Sequence, residues 1–242
     1  MQRYFSTSTN SIVLSNEDTH HITHVMRGKK GECFEVVVNG VVSVCEIVSI
    51  SPFEYREIDS ISDNNELTKD ITLFYCLAKG DKNDLVIQKC TEIGVKNIVF
   101  INSKRSVIKL DQKDFEKKKE RYIKIAKEAS EQCKRNQIPN ILGLYNITSI
   151  PSDFLCDINL VGYELENGKT NKTMDFIQDF KENKQSISIL IGPEGGISED
   201  EITSLIKQGF SPVSLGKRIL RTETAAIYSL SVISFLLENG DE

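Results

Sequence analysis

The chain has 242 residues and a formal net charge of −5; 39% of the residues are hydrophobic and 27% are charged. This composition predicts a folded, soluble protein. No run of eighteen apolar residues occurs, which argues against a membrane span, and residues 1–6 lack the apolar core of a signal peptide. The six cysteines form no C-x-x-C pair, so we expect reduced thiols in the cytoplasm rather than a disulfide framework.

The first part of the chain has the pattern of a small β-rich module. Residues 35–38 and 41–48 are mostly apolar, and Asn39-Gly40 between them is a strong hairpin-turn dipeptide. The polar stretch 60–66 resembles a linker between domains. The two predicted domains are therefore residues 1–68 and 69–242.

From residue 70 onward, strand patterns alternate with helix patterns, which predicts an α/β domain with a mostly parallel sheet covered by helices. The predicted strands cover residues 71–77, 98–101, 158–162, 187–191 and 213–215. The predicted helices cover residues 84–93, 114–135 and 198–209, followed by a last helix that Thr222 caps. Ser198 with Glu201 forms a capping box at the start of the third of these helices.

Two loops carry the strongest functional signal. Residues 190–196 (LIGPEGG) and 215–226 (LGKRILRTETAA) each run from an apolar strand into a helix start. Loops of this kind meet at the carboxyl ends of neighbouring strands, where open α/β sheets bind ligands. Either loop alone is also explained as a tight strand–helix turn, and neither is a P-loop or a G-x-G-x-x-G fingerprint.

The charges along the chain are unevenly distributed. Lys and Arg outnumber Asp and Glu by 16 to 9 in residues 79–136, whereas acids outnumber bases by 10 to 5 in residues 1–68 and by 15 to 8 in residues 137–242. A basic middle between acidic flanks suggests a surface that faces a polyanion. The alternative is a solvated, lysine-rich helix face without a partner.

The two loops resemble those of the RsmE family of RNA methyltransferases, which lies within the SPOUT (α/β-knot) superfamily. Further motifs in the order of the family extend the resemblance over most of the chain: residues 20–27 (HHITHVMR), 88–95 (QKCTEIGV), 103–107 (SKRSV) and 128–136 (EASEQCKRN). The N-terminal module is more divergent than the two loops.

The resemblance implies the fold and the reaction. It implies a SPOUT methyltransferase domain with a trefoil knot, preceded by a PUA-like RNA-binding β-barrel, and a homodimer. The methyl donor would be S-adenosylmethionine, with S-adenosylhomocysteine as the product. The acceptor would be N3 of one uridine near the decoding centre of 16S rRNA in the small ribosomal subunit.

The resemblance also assigns residues to the donor site by position. These are Tyr163, Glu164, Ile191, Gly192, Pro193, Gly195, Gly196, Leu215, Gly216, Ile219, Leu220, Arg221, Thr222, Thr224 and Ala225. Backbone groups would hold the adenine, and apolar side chains would cover it. The predicted RNA contacts are Arg27, Lys104, Arg105, Lys109, Arg135 and Asn136.

Methylation at N3 requires the loss of the N3 proton, and a cation near O2 or O4 would stabilise the resulting anion. Arg221 is the first candidate for this cation, with Arg105 or Arg135 of a partner subunit as alternatives. Glu223 is the candidate proton acceptor. Glu223 is also favourable at a helix start for purely structural reasons, and Arg221 would then simply pair with Glu223 or Glu194.

Other interpretations stay open. His20 and His24 have the i, i+4 spacing of a metal pair, but no third ligand is apparent and sulfonium methyl transfer needs no metal, so we predict no metal site. A SPOUT enzyme acting on tRNA or on another base position would have similar donor loops. A non-catalytic RNA-binding protein would not require those loops. A nucleotide-binding protein is disfavoured because no Lys-Ser/Thr follows the glycines.

Overall fold

The structure, a computed structural model, describes residues 1–62, 64–164 and 171–239. It divides into a first unit, Met1–Glu66 with Lys127–Ile138, and a second unit, Leu67–Ala126 with Pro139–Glu242. The predicted boundary after residue 68 lies close to the observed one. Residues 127–138 were assigned to the second domain, however, and they group with the first unit. Asp63, in the predicted linker, lies outside the described residues.

The first unit contains a four-stranded sheet with the order β1 (Arg3–Phe5), β2 (Cys33–Val38), β3 (Val41–Ile50) and β4 (Phe53–Ile61). The predicted hairpin is confirmed, because Asn39 and Gly40 have φ angles of 48° and 83°, as a tight two-residue turn between strands requires. β4 extends into the predicted linker as far as Ile61. The closed PUA-like barrel stays a prediction.

A short helix lies between β1 and β2. α1 (Asn16–His20) continues directly into one π-helical turn (His21–Val25). The Ser15 hydroxyl caps α1, because it accepts a 3.0 Å hydrogen bond from the backbone N–H of Asp18. Ile22 in the π turn is buried and belongs to the apolar core of the sheet.

The segment 127–138 is tied to the first unit by buried ionic and amide groups. The Arg3 guanidinium, 3% exposed, donates to the Asn136 side-chain oxygen at 3.1 Å. The Arg135 guanidinium pairs with the Glu66 carboxylate at 2.5 Å. Because these partners are far apart in sequence, no local pattern could assign the segment to the N-terminal unit.

Glu131 in this segment makes the stability of the first unit depend on pH. Burial raises the pKa of its carboxyl to about 7, although the Lys127 ammonium lies 3.4 Å away and opposes the shift. Lys127 also binds Asp18 at 2.7 Å, and the Asp18 charge further raises the pKa of Glu131. The folded state therefore binds a proton more tightly than the unfolded chain, and this contribution to stability is lost as the pH rises from about 4.5 towards 7.

Replacing Glu131 with glutamine should therefore stabilise the protein relative to wild type at pH 8, by about 2 kcal/mol, with the difference shrinking towards pH 5. The free energy of unfolding from urea denaturation at both pH values measures this effect. Glu120→Gln, an exposed acid of the same helix, serves as the control and should show no such trend. A Glu131→Gln difference that does not vary with pH would contradict the assignment.

The second unit is built on a six-stranded parallel sheet. Its strands are β5 (Asp70–Cys76), β6 (Asn97–Asn102), β7 (Asn140–Asn146), β8 (Ile158–Gly162), β9 (Ser186–Ile191) and β10 (Ser211–Val213), in the order β10-β8-β9-β5-β6-β7. The predicted strands are confirmed with small shifts of their ends, and β7 was not predicted. Buried residues fill most positions of β5 and β9, which explains their nearly continuous apolar sequence.

The described helices after α1 follow the strands. They are α2 (Lys82–Glu92), α3 (Gln112–Gln132), α4 (Asn171–Asn183), α5 (Glu199–Lys207) and α6 (Thr222–Asn239). α3 packs on the sheet through apolar side chains, since the buried Tyr122 ring stacks on Phe100 of β6 with centroids 5.0 Å apart. Within the described part of the chain, no helix is both long and apolar enough to cross a membrane.

The strand order explains where a ligand site should form. β10 pairs with β8 and β8 pairs with β9, all in parallel, so the loops after these strands leave from the same edge of the sheet. The chain order also reverses between β9 and β5, which are hydrogen-bonded neighbours. Crevices at the carboxyl ends of strands near such a reversal are the usual ligand sites of open α/β sheets.

Candidate active site

A cavity of about 410 Å³ lies at this edge of the sheet. All of the predicted donor-binding residues line it except Gly195, Gly216 and Thr224. The sequence prediction missed five lining residues as donor-site candidates: Lys82, Gly162, Glu194, Ile197 and Arg218. The two predicted loops therefore do meet, together with the loop after β8.

The glycines of the loop after β9 are required for different reasons. At Gly192, a Cβ atom would lie 2.7 Å from Ile197 Cγ1. At Gly195, it would lie 2.8 Å from the backbone oxygen of Arg105. Gly196 has a φ angle of +72° and donates its N–H to the Pro193 carbonyl at 2.9 Å, which closes the turn. A side chain at Gly192 or Gly195 would therefore displace its neighbours.

Thr222 connects the two predicted loops. Its hydroxyl donates a 2.9 Å hydrogen bond to the Gly192 carbonyl, and the side chain is buried. The prediction that Thr222 caps α6 is therefore wrong. Thr222 is the first residue of the helix, and the Arg221 carbonyl before it accepts the bond from the Ala225 N–H at 2.8 Å. The threonine side chain instead fixes the distance between the start of α6 and the end of β9.

Lys82, the first residue of α2, bridges two acids beside the cavity. Its ammonium lies 3.1 Å from a Glu194 oxygen and 3.4 Å from Glu223 Oε2. The Glu194 carboxylate is the main cause of a raised pKa at Lys82, so the ammonium stays charged. The alternative role of Arg221, a pairing with Glu194 or Glu223, is not found among the ion pairs of the described residues, because Lys82 pairs with both acids.

Arg218 and Arg221 also line the cavity, and both are exposed. Neither takes part in the ion pairs found among the described residues. Ile219 between them is 79% exposed although it lines the cavity, so an apolar ligand would cover it. The cavity thus has two arginines outside the described ion pairs and an apolar wall that is exposed to solvent.

The predicted RNA contacts divide into two groups. Lys104, Arg105 and Lys109, after β6, are exposed, as is Arg27 in the first unit. Arg135 and Asn136, by contrast, are 4% exposed each. Their side chains bind groups within the first unit, so we correct their predicted role from phosphate contact to a structural link.

The three histidines lie in the first unit. The rings of His20 and His24 stack with centroids 4.4 Å apart, and the His21 ring nitrogen Nδ1 is 2.9 Å from the Tyr4 hydroxyl. Among the described residues, no three His, Cys, Asp or Glu side chains are grouped as a metal site would require. The absence of a metal stays a prediction.

The chain matches a family model described as an RNA methyltransferase domain, over residues 65–234. It is 37% identical to the ribosomal RNA small subunit methyltransferase E of Bacillus subtilis, with both chains covered completely. The chain belongs to the RsmE family. A second relative, the ribosomal RNA small subunit methyltransferase E 2 of Borreliella burgdorferi, is 35% identical over 91% of this chain and 89% of its own length.

Two solved methyltransferase structures have the same fold as this chain. The enzyme of Neisseria gonorrhoeae bound to S-adenosyl methionine is 26% identical, with a TM-score of 0.84 and 98% of both chains covered. A methyltransferase of Legionella pneumophila in complex with the cofactor SAM is 29% identical, with a TM-score of 0.83 and 96% of both chains covered. The predicted family is thereby confirmed.

Proposed function

We propose that this chain transfers a methyl group from S-adenosylmethionine to N3 of one uridine near the decoding centre of 16S rRNA in the small ribosomal subunit. The observation that carries the proposal is the cavity of about 410 Å³, which the two predicted loops form together. The names of the relatives support an acceptor in small-subunit rRNA, and two related structures hold this donor.

The cavity fits the proposed donor chemically. Gly192 and Gly196 line the cavity, and backbone N–H and C=O groups along its wall would recognise an adenine edge. Ile219 and Leu220 provide apolar cover for the flat ring. The carboxylate of Glu164 also lines the cavity and suits the positive sulfonium. When bound, the donor supplies a methyl group on a positively charged sulfur, which a nucleophile displaces in line.

The remaining chemistry is that of the protein side chains. Arg221 lines the cavity as an exposed cation, and we assign to it the stabilisation of negative charge on the uracil oxygens when N3 loses its proton. Glu223 is the proposed proton acceptor. Its Oε2 atom is buried and has no hydrogen-bond partner among the described residues, although the Lys82 ammonium lies 3.4 Å away.

The rest of the assembly follows from family membership and also belongs to the proposal. The second unit would form the SPOUT trefoil knot, and the sheet of the first unit would close into a PUA-like barrel. The chain would act as a cytoplasmic homodimer. Arg27, Lys104, Arg105 and Lys109 would contact phosphates of the target loop, with the target base out of its stack.

Labelled S-adenosylmethionine tests the acceptor class. The purified protein is incubated with small subunits, large subunits and tRNA, each from cells that lack it, and incorporated label is counted. We expect label in the small subunits alone. Label in tRNA would favour the rival SPOUT activity, and absence of both label and donor binding would favour a non-catalytic RNA-binding protein.

Thr222→Val tests the link between the two loops. Valine keeps the shape of threonine but loses the hydrogen bond to the Gly192 carbonyl, which is worth about 1 kcal/mol. We expect donor affinity, measured by calorimetry, to fall about fivefold. Thr224→Val is the matched control, because Thr224 is exposed and does not line the cavity. Equal affinities of the two variants would contradict this role of Thr222.

A further inference from the structure

The loop after β6 is docked onto the loop after β9. We call residues 103–107 the basic loop and residues 192–196 the glycine loop; both belong to the second unit. The Arg105 guanidinium donates to the Gly195 carbonyl at 3.4 Å. The Arg105 carbonyl lies 2.8 Å from the position that a Cβ atom would take at Gly195. The backbones of the two loops therefore pack against each other without room for a side chain between them.

A single buried carboxylate joins the basic loop to Ser198, two residues after the end of the glycine loop. Glu201 of α5 is 0% exposed. Its Oε2 atom accepts the Ser198 N–H at 3.0 Å, as the predicted capping box requires, and it also accepts the Ser198 hydroxyl at 2.7 Å. Its Oε1 atom accepts the Lys104 N–H at 2.7 Å. The helix start uses only one oxygen of Glu201, and the other oxygen holds a backbone group 97 residues away.

Glu201 binds these groups as an anion. Burial raises the pKa of a carboxyl, but the N–H groups of Lys104 and Ser198 outweigh burial here and hold the pKa of Glu201 below its ordinary value. Hydrogen bonds to an ionised, buried acceptor are stronger than those between neutral groups. The position of the Lys104 backbone therefore depends on the position of α5 and of the glycine loop before it.

We propose that Glu201 is a positioning residue that couples donor binding at the glycine loop to RNA binding by Lys104 and Arg105. This inference rests on the proposed function. A donor that orders the glycine loop also orders the basic loop through Glu201. The side chains of Lys104 and Arg105 are then already in position when RNA binds. By linkage, RNA must then raise donor affinity by the same factor as the donor raises RNA affinity.

The exposed side-chain contact between the same segments does not account for this coupling. The Lys104 ammonium pairs with Asp200, but both side chains are more than half exposed. Exposed ion pairs are weak, and RNA phosphates would compete for the ammonium. Asp200→Asn is therefore a matched control: it changes an acid adjacent to Glu201 that also contacts Lys104, while the buried backbone link stays intact.

The test measures the affinity of S-adenosylhomocysteine, a donor analogue without the methyl group, with and without saturating small subunits. We expect the subunits to tighten analogue binding about fivefold or more in wild type and in Asp200→Asn. Glu201→Gln keeps the size of the side chain but its amide nitrogen cannot accept a hydrogen bond. In this variant we expect the tightening to fall below about twofold, and the KM for subunits to rise with little change in kcat.

Hydrogen exchange at the Lys104 amide of the wild-type protein provides a second measurement that needs no variant. The analogue should slow this exchange about tenfold, because it fixes the acceptor of that N–H. Unchanged exchange, or full tightening in Glu201→Gln, would overturn the coupling while leaving the proposed function intact. Failure of wild type to bind the analogue would overturn both proposals.

Discussion

Replacing Gly195 with alanine should lower methyl transfer about 100-fold or more. The added Cβ atom would lie 2.8 Å from the Arg105 backbone oxygen. Because this oxygen belongs to the backbone, it cannot move aside as the end of a flexible side chain would. The glycine loop and the basic loop would have to separate. Displacement of reacting groups by about 1 Å is enough for a rate loss of this size. Steady-state kinetics with small subunits measures the effect.

The control for this variant is a glycine outside the site. Gly209 has a φ angle of +93° and no atom within 4 Å of its Cβ position, so Gly209→Ala strains the backbone without a steric clash. We expect this control to lose stability but to retain the rate and the donor affinity. If Gly195→Ala retained wild-type kinetics, the close docking of the two loops would not matter for catalysis.

Arg221→Ala should lower kcat by a factor of about 100 to 1,000 while donor affinity stays within about threefold. Arg221 lines the cavity, and the acids beside it are already paired with Lys82, so its charge is available for the substrate. Loss of the cation should make removal of the N3 proton harder. The variant should therefore recover part of its rate as the pH rises, and a pH–rate profile measures this recovery.

Arg218→Ala is the matched control for Arg221, since Arg218 is an exposed cation that lines the same cavity. We expect Arg218→Ala to lower kcat less than about tenfold, because removing positive potential from the cavity has a smaller effect than removing a cation that contacts the substrate. Equal losses for the two variants would indicate a general electrostatic effect. Full turnover in Arg221→Ala with unchanged donor binding would contradict the role of Arg221.

Local signals explain what was predictable in this chain. The glycine loop and the loop before α6 follow apolar strands and contain Gly or Pro at their turns, so short-range sequence patterns locate them. The hairpin at Asn39-Gly40 is predictable for the same reason. β4 is different: it is an edge strand with mostly exposed residues, so it has a polar sequence like that of a linker.

Long-range pairing explains what the sequence did not predict. Lys82 reaches the site only because α2 follows β5, while its partners Glu194 and Glu223 lie more than a hundred residues later. Arg135 belongs to the basic segment 79–136 and is of a residue type that is usually exposed. It is buried because Glu66, which lies in a segment predicted as a linker, neutralises it. Neither partnership has a signal in the local sequence.

The most direct test of the central claim is the identity of the methylated nucleoside. Small subunits that lack the modification are incubated with the protein and labelled S-adenosylmethionine, and their RNA is then digested to nucleosides and analysed by mass spectrometry. The proposed function predicts a single labelled product, 3-methyluridine, from one position per subunit. Label in a different nucleoside, or no label although the donor binds, would contradict it.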